Sequence, residues 1–269
     1  MKEVVTFDGH CHLFDAIGDI MDGEYGSGET GCVGFIDVRP QYFDKRQKID
    51  YFTLYTRFIN KYRDKLDNVL LLASAETPSQ MIQIYDEHKD IIKGFGECKL
   101  YNKCAGIPVN NKKLFDIDNL CYFMRERRIH LPVYIHYTLT RKTYIQELEK
   151  LLTNYPLVPI VLCHCGMEED ENRSIDDVLC NEYIYLELLK LQKKYDNLWF
   201  DVSYTALDFM YENDGYIDNL RSDRVILGKD ANPFAQYNCK WTIYEKQVKF
   251  NALYPKVNNK ENIYKLFNL

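Results

Sequence analysis

Two histidines one residue apart, in His10-Cys11-His12, are the first feature of this sequence equipped for chemistry. Alternate side chains of an extended segment share a face, so both imidazoles can meet one ion while Cys11 points elsewhere. That spacing suits two Zn–N bonds of about 2.0–2.1 Å. His136 and His164 each close a short apolar run, Pro132-Val133-Tyr134-Ile135-His136 and Ile160-Val161-Leu162-Cys163-His164. Acidic residues and lysines stand in comparable places, in Gly96-Glu97-Cys98-Lys99 and Leu227-Gly228-Lys229-Asp230. Each has a plainer reading: a histidine capping a strand, Asp230 as an N-cap of the next helix, Glu97 with Lys99 as a salt bridge. Yet four of the six histidines fall at the ends of apolar runs, which coincidence explains poorly. His88 and His130 lie in helical or pre-strand segments and read as structural.

Eight short β-branched or aliphatic runs can position these residues: 4–7, 33–38, 69–73, 91–98, 132–136, 159–164, 198–202 and 225–228. They are apolar throughout rather than alternating, as parallel strands buried on both faces are. Helical patterns lie between most of them. Thr77-Pro78-Ser79-Gln80 has capping-box spacing with proline at the first helical position. Ile145, Leu148, Leu151 and Leu152 form one apolar stripe ended by Pro156, and Ile184, Leu188, Leu191 and Tyr195 form another. Residues 234–254 and 261–267 read as closing helices. Eight strand–helix units without a glycine-rich phosphate loop predict an α/β fold of the (β/α)₈ TIM-barrel type, as one domain over 1–269. In such a barrel the reactive residues sit at the C-terminal strand ends, where every candidate above falls.

Bulk properties narrow the function. The longest apolar runs are far shorter than the roughly 20 residues that cross a bilayer, and the start of the chain turns polar at Asp8, unlike a secretory signal. A cytoplasmic protein with no membrane partner is expected. Nine cysteines, an odd count with no Cys-x-x-Cys pair, argue for reduced thiols. Cys11, Cys98, Cys163 and Cys165 each neighbour a candidate ligand, so strand alternation turns each of them away from it, into apolar packing. The net charge of −6 disfavours nucleic acid as a partner. The 22 tyrosines are expected mainly in and around the core, and a homo-oligomer is compatible with the sequence.

Taken in order, these motifs resemble the amidohydrolase superfamily: His10 and His12 after strand one, Glu97 or Lys99 after strand four, His136 and His164 after strands five and six, Asp230 after strand eight. The resemblance spans nearly the whole chain. Phe200-Asp201-Val202-Ser203 and Asn262-Ile263-Tyr264-Lys265-Leu266-Phe267 resemble the branch that contains metal-dependent decarboxylases and lactone or amide hydrolases. Asp8-Gly9-His10-Cys11-His12-Leu13 and Gly96-Glu97-Cys98-Lys99-Leu100-Tyr101 also resemble TatD-like deoxyribonucleases, whose strand-four glutamate binds metal. In that second family the strand-eight aspartate usually follows Glu-Thr. Here it follows Gly-Lys, nearer the Gly-Ser/Thr-Asp of the first branch, and Lys229 departs from both patterns.

The resemblance implies that His10, His12 and Asp230 hold a divalent ion, zinc by preference. His136 completes the site if there is one ion; with Glu97 and His164 it makes a second site if there are two. Asp230 would take the proton of the attacking water, and His164, if not a ligand, would be a base or would stabilise developing charge. Lys99 could be a carbamylated bridge or a cation for substrate. Arg39, Tyr137 and Arg141 fall where loops should line the mouth, although a solvated surface charge is the favoured reading of Arg39 and Arg141. The expected partner is a small molecule, by preference an acidic one, whose C–O or C–N bond is hydrolysed. Decarboxylation, metal-dependent DNA cleavage and a non-enzymatic barrel scaffold are the alternatives.

Overall fold

The structure, a computed structural model, describes residues 6–13, 29–36, 50–67, 69–99, 103–104, 107–108, 116–136, 142–166, 175–203, 206, 219–228 and 256–269. Eight strands form one sheet: β1 (Thr6–Leu13), β2 (Glu29–Ile36), β3 (Val69–Ala73), β4 (Ile92–Lys99), β5 (Val133–His136), β6 (Ile160–Leu162), β7 (Leu198–Val202) and β8 (Val225–Leu227). They lie in chain order, each parallel to the next. The sheet curls until β1 meets β8: a Cβ on Gly9 would lie 2.6 Å from Ile226 Cγ2, and one on Gly228 would lie 2.4 Å from His10 Cβ. This is a (β/α)₈ barrel, as the strand–helix alternation predicts.

Among the described residues six α-helices accompany the strands: α1 (Tyr51–Tyr62), α2 (Pro78–Glu87), α3 (Ile117–Glu126), α4 (Lys142–Asn154), α5 (Ile175–Lys194) and α6 (Asn259–Phe267). Their starts follow from side-chain caps. Asp50 accepts from Thr53 N at 3.1 Å, Asp116 from Asn119 N at 3.1 Å and Asn258 from Glu261 N at 3.2 Å. The Thr77-Pro78-Ser79-Gln80 box caps α2 through Thr77 Oγ1, which takes Gln80 N at 3.3 Å. The Ile145, Leu148, Leu151 and Leu152 stripe is buried on α4. On α5, Leu188 and Leu191 are buried as expected. Among the described residues no helix is long and apolar enough to cross a membrane. Residues 234–254, expected as a closing helix, lie outside the described residues.

Strand alternation sorts the core into two layers. Val33, Phe35, Leu70, Leu72, Tyr134, Val161, Trp199 and Ile226 pack together in the barrel, joined by Ile263, Leu266 and Phe267 of α6. Their neighbours Ile36, Leu71, Ala73, Val133, Ile135, Leu162, Phe200 and Leu227 pack outward with the buried faces of the helices. Fully burying one such side chain contributes roughly 1.5–3 kcal/mol. At the strand starts, polar clamps set the frame: Asn197 Nδ2 donates to the Leu152, Tyr155 and Val158 carbonyls at 3.0–3.3 Å. At the strand ends, Tyr55 Oη donates to Leu72 O at 2.7 Å and accepts from Ser74 N at 2.8 Å and Ile36 N at 3.2 Å, tying β2 to β3.

Two strand boundaries differ from expectation. The first strand, expected over 4–7, runs to Leu13, so His10 and His12 lie within β1 instead of after it. Polarity at Asp8 marks where the barrel interior changes from apolar to polar, not where the strand stops. The second, expected over 33–38, already begins at Glu29.

Candidate metal centre

Each of the two strands that carry a candidate ligand deep in the barrel is irregular just before it. In β1, Asp8 pairs with Cys32 and Cys11 with Gly34, so three steps of β1 face two of β2. In β4, Phe95 pairs with Val133 and Cys98 with Ile135, again three steps against two. Such bulges rotate the following side chains. Here they put both Phe95 and Cys98 in the outer core while Glu97 is buried toward the site. Gly96 makes the turn at φ 135°, where a Cβ would also lie 2.6 Å from Tyr134 Cβ, so only glycine fits. In β1, Asp8 Oδ1 accepts His10 N at 3.1 Å and steadies the irregular backbone.

His10 is held from three sides. Its Nδ1 lies 2.6 Å from Asp201 Oδ2, with both side chains 0% exposed. The rings of Phe35 and Tyr134 stand edge-on at centroid distances of 5.1 and 6.5 Å. His164 lies 5.2 Å away on another side. Tyr134 itself donates to Gly9 O at 3.3 Å, and burial, reinforced by the Asp201 charge, pushes its phenol well above the usual range, so it stays a neutral donor.

His164 follows β6 in the tight turn Cys163–Gly166, with φ 52° at His164 and 54° at Cys165. Its Nδ1 is 2.9 Å from Ser203 Oγ, which is also 2.9 Å from Asp201 Oδ2. His136, at the end of β5, bonds through Nδ1 to Glu97 Oε1 in a short contact, and its ring lies 4.7 Å from that of His164. Donor atoms of His10, Glu97 and His164 come within 4.8 Å of one another, as do those of His10, Cys163 and Asp201. Two imidazoles and a carboxylate at that spacing, all buried, fit a divalent cation of the zinc or manganese type. Asp201 Oδ1, also buried, makes no hydrogen bond among the described residues, so this carboxylate retains accepting capacity toward the cluster.

Of the sequence-predicted residues, His10, Glu97, His136 and His164 therefore come together. His12 lies in β1 opposite Phe35, and Lys99 in β4 opposite His136, with side chains outside the described residues. Arg39, Tyr137, Arg141, Lys229 and Asp230 lie outside the described residues altogether. His88 is structural: Nε2 meets Thr56 Oγ1 at 3.1 Å and the ring stacks on Phe52. His130 sits at the surface near Leu157 O.

Strand alternation correctly sends Cys11 and Cys98 to the outer core, where Cys165 of the turn after β6 also packs and burial pushes the Cys98 and Cys165 thiols far up. For Cys163 it fails. That side chain joins the interior layer beside His10 and Asp201, because the strand ends at Leu162 and the left-handed turn that follows breaks the alternation. Sequence reasoning gave no role to Asp8, Asp201 or Ser203. The signal for the last two was the polar pair at alternate positions ending Leu198-Trp199-Phe200-Asp201-Val202-Ser203, the same one-face spacing that singled out His10 and His12.

No protein-family description matches this sequence, and no curated protein matches it. The fold, by contrast, has relatives among solved structures, several of them amidohydrolases. An amidohydrolase from Burkholderia multivorans with bound zinc has a TM-score of 0.60 at 12% identity, covering 99% of this chain and 100% of its own. A dihydroorotase from Campylobacter jejuni has 0.56 at 18% identity, over 98% and 83%. The 5-carboxyvanillate decarboxylase of Novosphingobium aromaticivorans, complexed with manganese, has 0.51 at 12% identity, over 98% and 96%. At these identities the likeness establishes a common barrel fold, and the chemistry rests on the site.

Proposed function

We propose that this protein is a metal-dependent hydrolase that opens a C–O or C–N bond of a small molecule with water. The observation that carries this reading is the meeting of His10, Glu97 and His164 donor atoms within 4.8 Å at the C-terminal mouth of a (β/α)₈ barrel. Burying these groups together is costly unless hydrogen bonds or a cation compensate them. The bound zinc of the Burkholderia amidohydrolase and the manganese of the decarboxylase support a divalent ion here.

The residues assigned to hold it are His10, His12 and Asp230, with His136, or with Glu97, His136 and His164 around a second ion. When bound, the ion lowers the pKa of water toward about 7 and polarises the oxygen of the scissile group. Asp230 accepts the water's proton. Where it is not a ligand, His164, held at Nδ1 by Ser203, acts as a general base through Nε2. His136 is 14% exposed, so the substrate approaches from its side of the cluster. Lys99, Arg39 and Tyr137 are the groups proposed to engage an acidic part of that substrate.

The test begins with elemental analysis of the purified protein, followed by zinc or manganese reconstitution and a panel of lactones, esters and cyclic amides. Failure to take up either ion rejects the reading. With loading confirmed, Asp230→Asn should lower kcat by about 10²–10⁴-fold, and near-normal turnover removes its role. The likeness to 5-carboxyvanillate decarboxylase over 98% of this chain supports a second reading, non-oxidative decarboxylation at the same centre. Release of CO₂ from aromatic acids separates the two.

A further inference from the structure

Four fully buried groups run in a line: His164 Nδ1 to Ser203 Oγ at 2.9 Å, Ser203 Oγ to Asp201 Oδ2 at 2.9 Å, and Asp201 Oδ2 to His10 Nδ1 at 2.6 Å. Counting protons fixes the direction of every bond. A carboxylate oxygen only accepts, so both groups at Oδ2 must be donors. One is His10 Nδ1–H. The other is the Ser203 hydroxyl, whose single proton is thereby committed to Asp201. Ser203 Oγ can then only accept from His164, so His164 Nδ1 must carry its proton as well. The line reads His164 to Ser203 to Asp201, met from the other end by His10.

We infer that Asp201 and Ser203 form one positioning relay that holds both His10 and His164 in the Nδ1–H tautomer, leaving Nε2 of each as the nitrogen that can bind a cation. A neutral imidazole has one protonated and one lone-pair nitrogen, and the partner of the first decides the identity of the second. Usually each metal-binding histidine has its own orienting acceptor. Here a single carboxylate serves two, one directly and one through a hydroxyl, so removal of the hydroxyl disturbs one histidine and removal of the carboxylate disturbs both. The inference deepens the proposed metal site and rests on that reading for its purpose, but the tautomers themselves can be read without any metal.

The experiment is long-range ¹H–¹⁵N NMR of the imidazoles in metal-free full-length protein at a pH where they are neutral, paired with zinc affinity by chelator competition. In the unmodified chain both His10 and His164 should show protonated Nδ1. Ser203→Ala should release His164 to the Nε2–H form or a mixture, leave His10 unchanged and weaken zinc binding about 10–100-fold. Ser203→Thr, which keeps the hydroxyl, should restore both readouts. Asp201→Asn should disturb both histidines. An Nε2–H His164 in the unmodified chain overturns the relay, and so does a His164 indifferent to Ser203→Ala. If the tautomers behave as stated but the unmodified chain takes up no zinc, the relay stands and the proposed hydrolase falls.

Discussion

The cluster contains two histidine–carboxylate pairs that differ in where they sit. His10 and Asp201 are both 0% exposed, with the carboxylate also bonded to Ser203. Glu97 and His136 are 2% and 14% exposed, one ring from the first pair, at the rim. The chemistry is alike and the surroundings are not. In the sealed pair no water can replace a lost partner, so the pair is part of the scaffold and serves the site by fixing an imidazole. In the rim pair solvent can reach the histidine, so its contact can be exchanged for an ion or a substrate at lower cost.

The largest effect should come from breaking the sealed pair. His10→Ala leaves a buried carboxylate without its imidazole and should cost about 3–5 kcal/mol of folding stability, read from urea denaturation. His136→Ala, at the rim, should cost about 1–3 kcal/mol, the range for one buried acceptor losing its donor. Both should weaken zinc binding, but only the first should approach global unfolding. Equal losses would erase the distinction between scaffold and exchangeable pair.

A subtler substitution presses on the sealed pair without touching it. A Cβ on Gly228 would lie 2.4 Å from His10 Cβ and 2.7 Å from His10 N. Gly228→Ala must therefore push β8 away from β1 at the seam, costing about 1–3 kcal/mol as overpacked cores do, and must shift His10 against Asp201. A melting curve together with a zinc titration checks both. Unchanged zinc affinity at lowered stability would mean that His10 moves with its strand as a rigid unit.

How much of this was legible in the chain depends on the range of the information. The strands were readable because a barrel strand buried on both faces is a plain apolar run, as in Val69–Ala73 and Leu198–Val202. His136 and His164 were readable because they end such runs. The true extent of β1 was hidden, because inward polar residues at a site look like the end of a strand. The bulges before His10 and Glu97 were hidden too, since an extra residue shows only against its partner's register. Asp201 stood in plain view, yet its role depends on a partner 191 positions away, which no local pattern encodes. Cys163 was misplaced because parity holds along a strand and not through a left-handed turn.

His88 supplies a control for burial without an ionic partner, and the smallest of the expected effects. It is buried between α1 and the end of α2, bonded to the Thr56 hydroxyl, and burial holds its pKa below the ordinary imidazole value despite the raising influence of Glu87 and Asp90. The unfolded chain therefore takes up this proton more readily than the folded one. Its contribution to stability is fully present above the unfolded pKa of about 6.5, and it is lost as pH falls through the lower folded value. His88→Gln, which keeps a polar group near Thr56 but cannot titrate, should give a shallower loss of urea midpoint between neutral and mildly acidic pH. An unchanged slope would show that the histidines of the metal cluster, and not isolated burial, dominate the acid limb.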